Sequence, residues 1–125
     1  VVAVYELEFM HISSESTVLP TAPVGLLRGD DRLQEASCGN GPVDAICRAI
    51  DRCTGINCKL VSWEIQAVPS GTDALGEVTL KITADGKKNF VGRGISTDIL
   101  EASAKAYVNA VNKLIWHANN GNGSK

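Results

Sequence analysis

Residues 91–114 read VGRGISTDILEASAKAYVNAVNKL, and the way this stretch passes from two glycines into a helix decides the fold. Leu100, Ala104, Tyr107, Val108, Val111, Leu114 and Ile115 recur at the 3.6-residue period of an amphipathic helix. Ser96 or Thr97 is available as N-cap, and Asp98 and Glu101 sit in or near the first turn, where the helix dipole favours negative charge. A second line, Ile99, Ala102, Ala106 and Ala110, carries mostly small side chains and allows another element to approach closely. Upstream, EVTLKITADGKKNFVGRG reads as a hairpin turning at Asp85-Gly86. CKLVSWEIQAV before it reads as a strand, followed by the loop PSGTDALG. The second half is therefore βββα.

The first half follows the same plan. Residues 2–10 alternate, with Val2, Val4, Glu6 and Glu8 on one face and Ala3, Tyr5, Leu7 and Phe9 on the other. After the loop ISSEST, TAPVGLLRG and RLQEASCG read as two strands around a Gly-Asp-Asp turn. GNGPVDAICRAIDRCTG follows as a helix, with Pro42 in its first turn, Asp44 at its positive end and Gly55 as terminator. Its apolar stripe is Val43, Ile46, Ile50 and Cys53. Gly39-x-Gly41 corresponds to Gly92-x-Gly94, each leading towards its helix. The expected class is α+β: two βββα units, about 1–55 and 56–118, each burying one face of a largely antiparallel sheet under one helix. The opposite sheet faces and the alanine line point to completion by a second copy, a homodimer. Residues 119–125 are expected to form a disordered or added tail.

With 125 residues the chain is about one domain, and its 44% apolar and 21% charged residues are ordinary for a globular protein. A formal charge of −2 supplies no basic field for nucleic acid or anionic lipid. No apolar run approaches the ~20 residues that span a bilayer. The chain opens on Val1 in what reads as a strand under way, so a piece of a longer protein is expected. Cys38, Cys47, Cys53 and Cys58 form no C-x-x-C pair and are expected to be buried or half-buried free thiols in a reducing cytoplasm.

The glycine stretches are not phosphate cradles. The third glycine of a dinucleotide fingerprint is missing after both, and G-K-[ST] is absent. Two readings stand. The glycines supply positive φ at strand-to-helix corners and nothing more. Alternatively, the two corners bring helix N-termini, with their unpaired N–H groups, beside Val43, Leu60, Trp63, Ala67, Val78 and Ile95. Backbone donors beside a small apolar pocket suit the carboxylate and tail of a free aliphatic amino acid, with Gly94 contributing from the second corner. Catalysis has weaker support. His11 and His117 are isolated, no nucleophile or metal motif occurs, and Glu35, Asp44, Asp98 and Glu101 fit turn and cap positions. No catalytic or metal-ligating residue is assigned.

EASCGNGPVDAICRAID, QAVPSGTDALGEVTL and GRGISTDILEASAKAYVNAVNKL together resemble the C-terminal regulatory domain of the 2-isopropylmalate synthase family, and citramalate synthases carry a similar domain. The resemblance implies a feedback sensor that dimerises and binds L-leucine between its βββα units. It implies a parent enzyme that condenses acetyl-CoA with 2-oxoisovalerate, the first committed step of leucine synthesis, in a metal-dependent TIM-barrel domain whose H-x-H motif is not found here. The piece itself would need no cofactor; its partners would be leucine, a second copy and the parent's catalytic domain, in the cytoplasm. The inhibitor's polar end would lie at positions matching Gly39, Asn40, Gly41, Pro42 and Val43. Its tail would lie among positions matching Val43, Leu60, Trp63, Ala67, Ala74, Val78 and Ile95. Trp63 stands where relatives often place a smaller aromatic, which leaves leucine against isoleucine open. A dimerisation module that binds no ligand remains the alternative from another class.

Overall fold

The computed structural model describes residues 4–12, 20–69 and 74–120. Among these residues six strands and two helices follow in the order β1 (Glu6–Met10), β2 (Thr21–Arg28), β3 (Asp31–Cys38), α1 (Pro42–Thr54), β4 (Lys59–Val68), β5 (Leu75–Thr83), β6 (Phe90–Ser96) and α2 (Ile99–Asn120). The strands form two antiparallel three-stranded sheets, β1-β2-β3 and β4-β5-β6. This is the α+β fold of two βββα units that the repeat predicts. The ISSEST loop lies mostly outside the described residues, as do residues 1–3, 70–73 and 121–125. The helix runs on to Asn120, two residues past the expected end of the domain.

Each helix covers its own unit's sheet, α1 on β2 and β3, α2 on β5 and β6, and the helices touch each other. Strand alternation decides what each buries. Ala22, Val24 and Leu26 point at α1, and Val78, Leu80 and Ile82 at α2, all fully buried. Ile46 and Ile50 fill the space from α1 as the stripe predicts; fully burying such a side chain contributes about 1.5–3 kcal/mol. The joint between units is polar at its centre. Tyr107 Oη on α2 donates to Asp51 Oδ1 on α1 over 2.7 Å. Asn112 of α2 clamps the chain entering β1, accepting from Tyr5 N at 2.9 Å and donating to Tyr5 O at 2.9 Å.

The glycines 92 and 94 correct the sequence reading. They form no corner: both lie inside β6, paired with Leu80 and Val78, and among the described residues the positive-φ glycines are Gly29, Gly55 and Gly86. Their role is close approach. A Cβ at Gly92 would land on Ala106 O and lie 2.8 Å from Ala110 Cβ; one at Gly94 would land on Ala102 O and 2.7 Å from Ala106 N. The line Ala102, Ala106, Ala110 therefore meets two strand glycines of the same chain, and that need for backbone contact explains both sets of small residues.

Candidate functional site

The two helix starts differ. At α1, Gly41 is the N-cap with extended backbone, φ −160°, Pro42 follows, and no side chain caps the first turn. Asp44 reaches back instead, its Oδ2 accepting from Asn40 N at 2.9 Å and pairing with Arg48 Nε at 3.0 Å. Burial alone would raise the Asp44 pKa, but the Asn40 amide and the Arg48 guanidinium hold it below the usual carboxylate value. The first turn of α1 thus keeps amide donors that no side chain occupies. At α2 the cap is Asp98, not Ser96 or Thr97: its Oδ1 accepts from Leu100 N at 2.9 Å, and its carbonyl accepts from Ala102 N. Ser96 Oγ supports it, accepting from Asp98 N and donating to Glu101. The second start is closed by its own side chains. Glu35 serves neither start; it pairs at 3.5 Å with Arg52 near the other end of α1.

Strand register divides the remaining candidates. Leu60, Trp63 and Ala67 pair with Ile82, Leu80 and Gly76 and so share the side of sheet β4-β5-β6 that faces the helices. Val78 pairs with Gly94 on that side, but α2 buries both. Ile95 pairs with Glu77 and points out of the opposite face, so a single chain does not bring it to the others. Neither helix packs extensively on β4. Its inner side is an open apolar strip on which Leu60 is 36% and Ile65 47% exposed.

Two cavities flank this strip. One, about 380 Å³, is polar and lies between the units, lined by Asp44, Cys47, Arg48 and Asp51 of α1, Cys58, Lys59 and Leu60 at the start of β4, and Tyr107 of α2. Burial pushes the Asp51 carboxyl up to about 6 despite the Tyr107 hydroxyl and the Cys58 amide, and pushes the Cys58 thiol up to about 11. The other, about 390 Å³, is apolar: Ile65, Ala67, Ala74, Leu75, Gly76 and Ile99 line it with Gln66 and Thr97. Trp63 stands between them along the strand, its indole Nε1 donating to Ser103 Oγ at 2.9 Å.

The structure thus joins Leu60 to the α1 side and Ala67 to Ala74 in a separate hollow. Ile65, Thr97 and Ile99 were missed by the sequence reading. A hollow formed where the α2 start overhangs β4 depends on pairing across the sheet, which periodicity along the chain does not carry. The thiols are free, as expected, but Cys38 is exposed rather than buried. His11 lies against Phe9 and His117 against Phe90, apart from both cavities.

The profile of a family described as LeuA allosteric (dimerisation) domain matches residues 1–115. A 2-isopropylmalate synthase of Pelotomaculum thermopropionicum is 70% identical over 112 residues, which is 90% of this chain and 22% of that protein. Those of Carboxydothermus hydrogenoformans and Heliobacterium modesticaldum are 53% and 48% identical over 112 residues each, again 90% of this chain and 22% of the relative. The chain therefore spans 22% of the length of these curated relatives.

Proposed function

The chain belongs to the LeuA allosteric (dimerisation) domain family, and from that premise we propose that it binds a branched-chain amino acid, L-leucine, as a feedback effector. The observation that carries this reading is the open apolar strip of β4, whose Leu60 shares the polar cavity with Asp44 of the uncapped first turn of α1. The effector's carboxylate accepts from the free first-turn amides around Gly41–Val43, where the positive end of the α1 dipole lies. Its tail packs on the strip; burying a leucine side chain contributes ~1.5–3 kcal/mol. The charged ends need partners, because a buried unpaired charge costs more than that gain.

One amino acid cannot reach every candidate within one chain. Leu60 and Ala67 are seven residues apart on one strand, roughly 20 Å at the usual rise. A homodimer resolves this. β4 is an edge strand, and a second β4 facing it about a two-fold axis between Trp63 and Glu64 sets Leu60 of one copy opposite Ala67 of the other. The effector then lies between copies and acts by binding one arrangement of the pair better than another, which is the sole way a ligand shifts such an equilibrium.

The names of the relatives support a parent enzyme that is a 2-isopropylmalate synthase; its action in the cytoplasm on acetyl-CoA and 2-oxoisovalerate, and the reporting of leucine by this domain to a catalytic domain, are parts of the proposal. Among the described residues no helix is long and apolar enough to cross a membrane. Among them, too, no three histidine, cysteine or carboxylate side chains gather to hold a metal.

Calorimetric titration with leucine, isoleucine and valine tests the proposal. Leucine is expected to bind most tightly, and Gly41→Asp to abolish binding. A Cβ at Gly41 meets nothing within 4 Å, and Asp is a favoured N-cap, so this variant should fold at least as stably while its own carboxylate takes the amides. No heat with any of the three would refute effector binding and leave a dimerisation module.

A further inference from the structure

Ser103 is a fully buried hydroxyl on α2, one turn after Ile99 and one turn before Tyr107. Its Oγ donates to Ile99 O at 2.9 Å and accepts from Trp63 Nε1 at 2.9 Å. One atom therefore ties the indole of strand β4 to the first turn of α2, whose Ile99 walls the apolar hollow. The indole is half-buried against the core, and this bond is what sets the orientation of its ring edge on an edge strand that the helices cover only in part. With it, the ring is fixed between Leu60, on the polar cavity, and Ile65, on the apolar hollow.

We propose that Ser103 is a positioning residue for effector selection: by holding the Trp63 indole between Leu60 and Ile65 it fixes the shape of the apolar strip, and so sets which branching pattern of an aliphatic amino acid is accepted. This rests on the effector reading above. Leucine and isoleucine differ only in where the chain branches, so a fixed indole on the strip can tell them apart where a mobile ring would yield to either. The hydroxyl itself does not touch the ligand.

The test uses Ser103→Ala, Trp63→Phe and the double variant, titrated calorimetrically with leucine, isoleucine and valine. Trp63 emission is followed in a Trp116→Phe background, which leaves one tryptophan. Ser103→Ala is expected to change the leucine-to-isoleucine affinity ratio by about tenfold, the low end of what one misplaced methylene costs. Trp63 emission should shift to the red and become more accessible to iodide quenching. Trp63→Phe, which removes the indole donor and leaves α2 untouched, should change the same ratio, and the double variant no more than the larger single effect. It also carries the test should Ser103→Ala fail to fold. An unchanged ratio, equal weakening of all three ligands, or unaltered emission overturns the role of Ser103 and leaves the effector site standing. Failure of the unaltered chain to bind any of the three overturns both.

Discussion

Asp51 shows how a single residue can make the joint between the units sensitive to pH. It sits between α1, α2 and the start of β4, takes the Tyr107 hydroxyl at 2.7 Å, and has its carboxyl pushed up to about 6 by burial. The groups facing it are Asp44, Cys47 and Arg48 of α1, Cys58 and Lys59 at the start of β4, and Tyr107 of α2, with Arg52 on the flank paired to Glu35. Arg48 pairs with Asp44, so no cation is committed to Asp51. A carboxyl whose folded pKa lies above its unfolded value binds its proton more tightly in the folded state. Its contribution to stability is complete below the unfolded pKa, near 3.8, and is lost as pH rises through about 6. Asp51→Asn keeps an acceptor for Tyr107 and cannot ionise. Its Tm should match the unaltered chain near pH 4 and exceed it above pH 6.5, and parallel Tm curves across this range would contradict the assignment.

Among the elements, the contact between α2 and β6 is the most demanding. Gly94→Ala places a methyl group on the Ala102 carbonyl, and helix and strand cannot separate without losing the alanine line. Overpacking of this kind typically costs about 1–3 kcal/mol, so chemical denaturation should show a loss of that size or larger. A loss within ~0.5 kcal/mol would mean that the two backbones are not in contact. This contact also marks where the sequence was and was not legible. The stripe of Ile46 and Ile50 and the terminator Gly55 could be read directly, because helix periodicity and left-handed glycine are local signals. The βββα repeat followed from the same signals used twice. The spacing of Gly92 and Gly94 was read as a corner because glycine before a helix has two uses, positive φ and close approach, and only the partner across the gap distinguishes them. Ala102, Ala106 and Ala110 held half of that answer. Ile95 was grouped with Val78 because both are apolar and near a helix start, yet register with β5 places them on opposite faces. Gly39–Val43 is legible as a helix start, whereas the absence of a side-chain cap there, against the closed cap at Asp98, depends on side-chain orientation that the residue pattern does not carry.

Taken whole, a chain of two small sheets leaves β4 with an open edge and an uncovered inner side, and the proposed site is completed by a second copy at that edge. Ile65, 47% exposed, then lies at the interface centre beside the two-fold axis. Ile65→Lys should shift the population towards monomer in sedimentation velocity and weaken leucine binding in parallel, with the fold kept because the residue is exposed. An unchanged dimer would place the interface elsewhere. The central claim is that a branched amino acid lies on the inner side of β4 against the start of α1, and backbone and methyl chemical-shift mapping during a leucine titration tests it most directly. The account predicts saturable shifts at Gly41, Val43, Leu60, Ile65, Ala67 and Ile99, with Lys81 and Arg93 on the outer sheet face unmoved. Saturable shifts confined to the outer face, or none at saturating leucine, would contradict it.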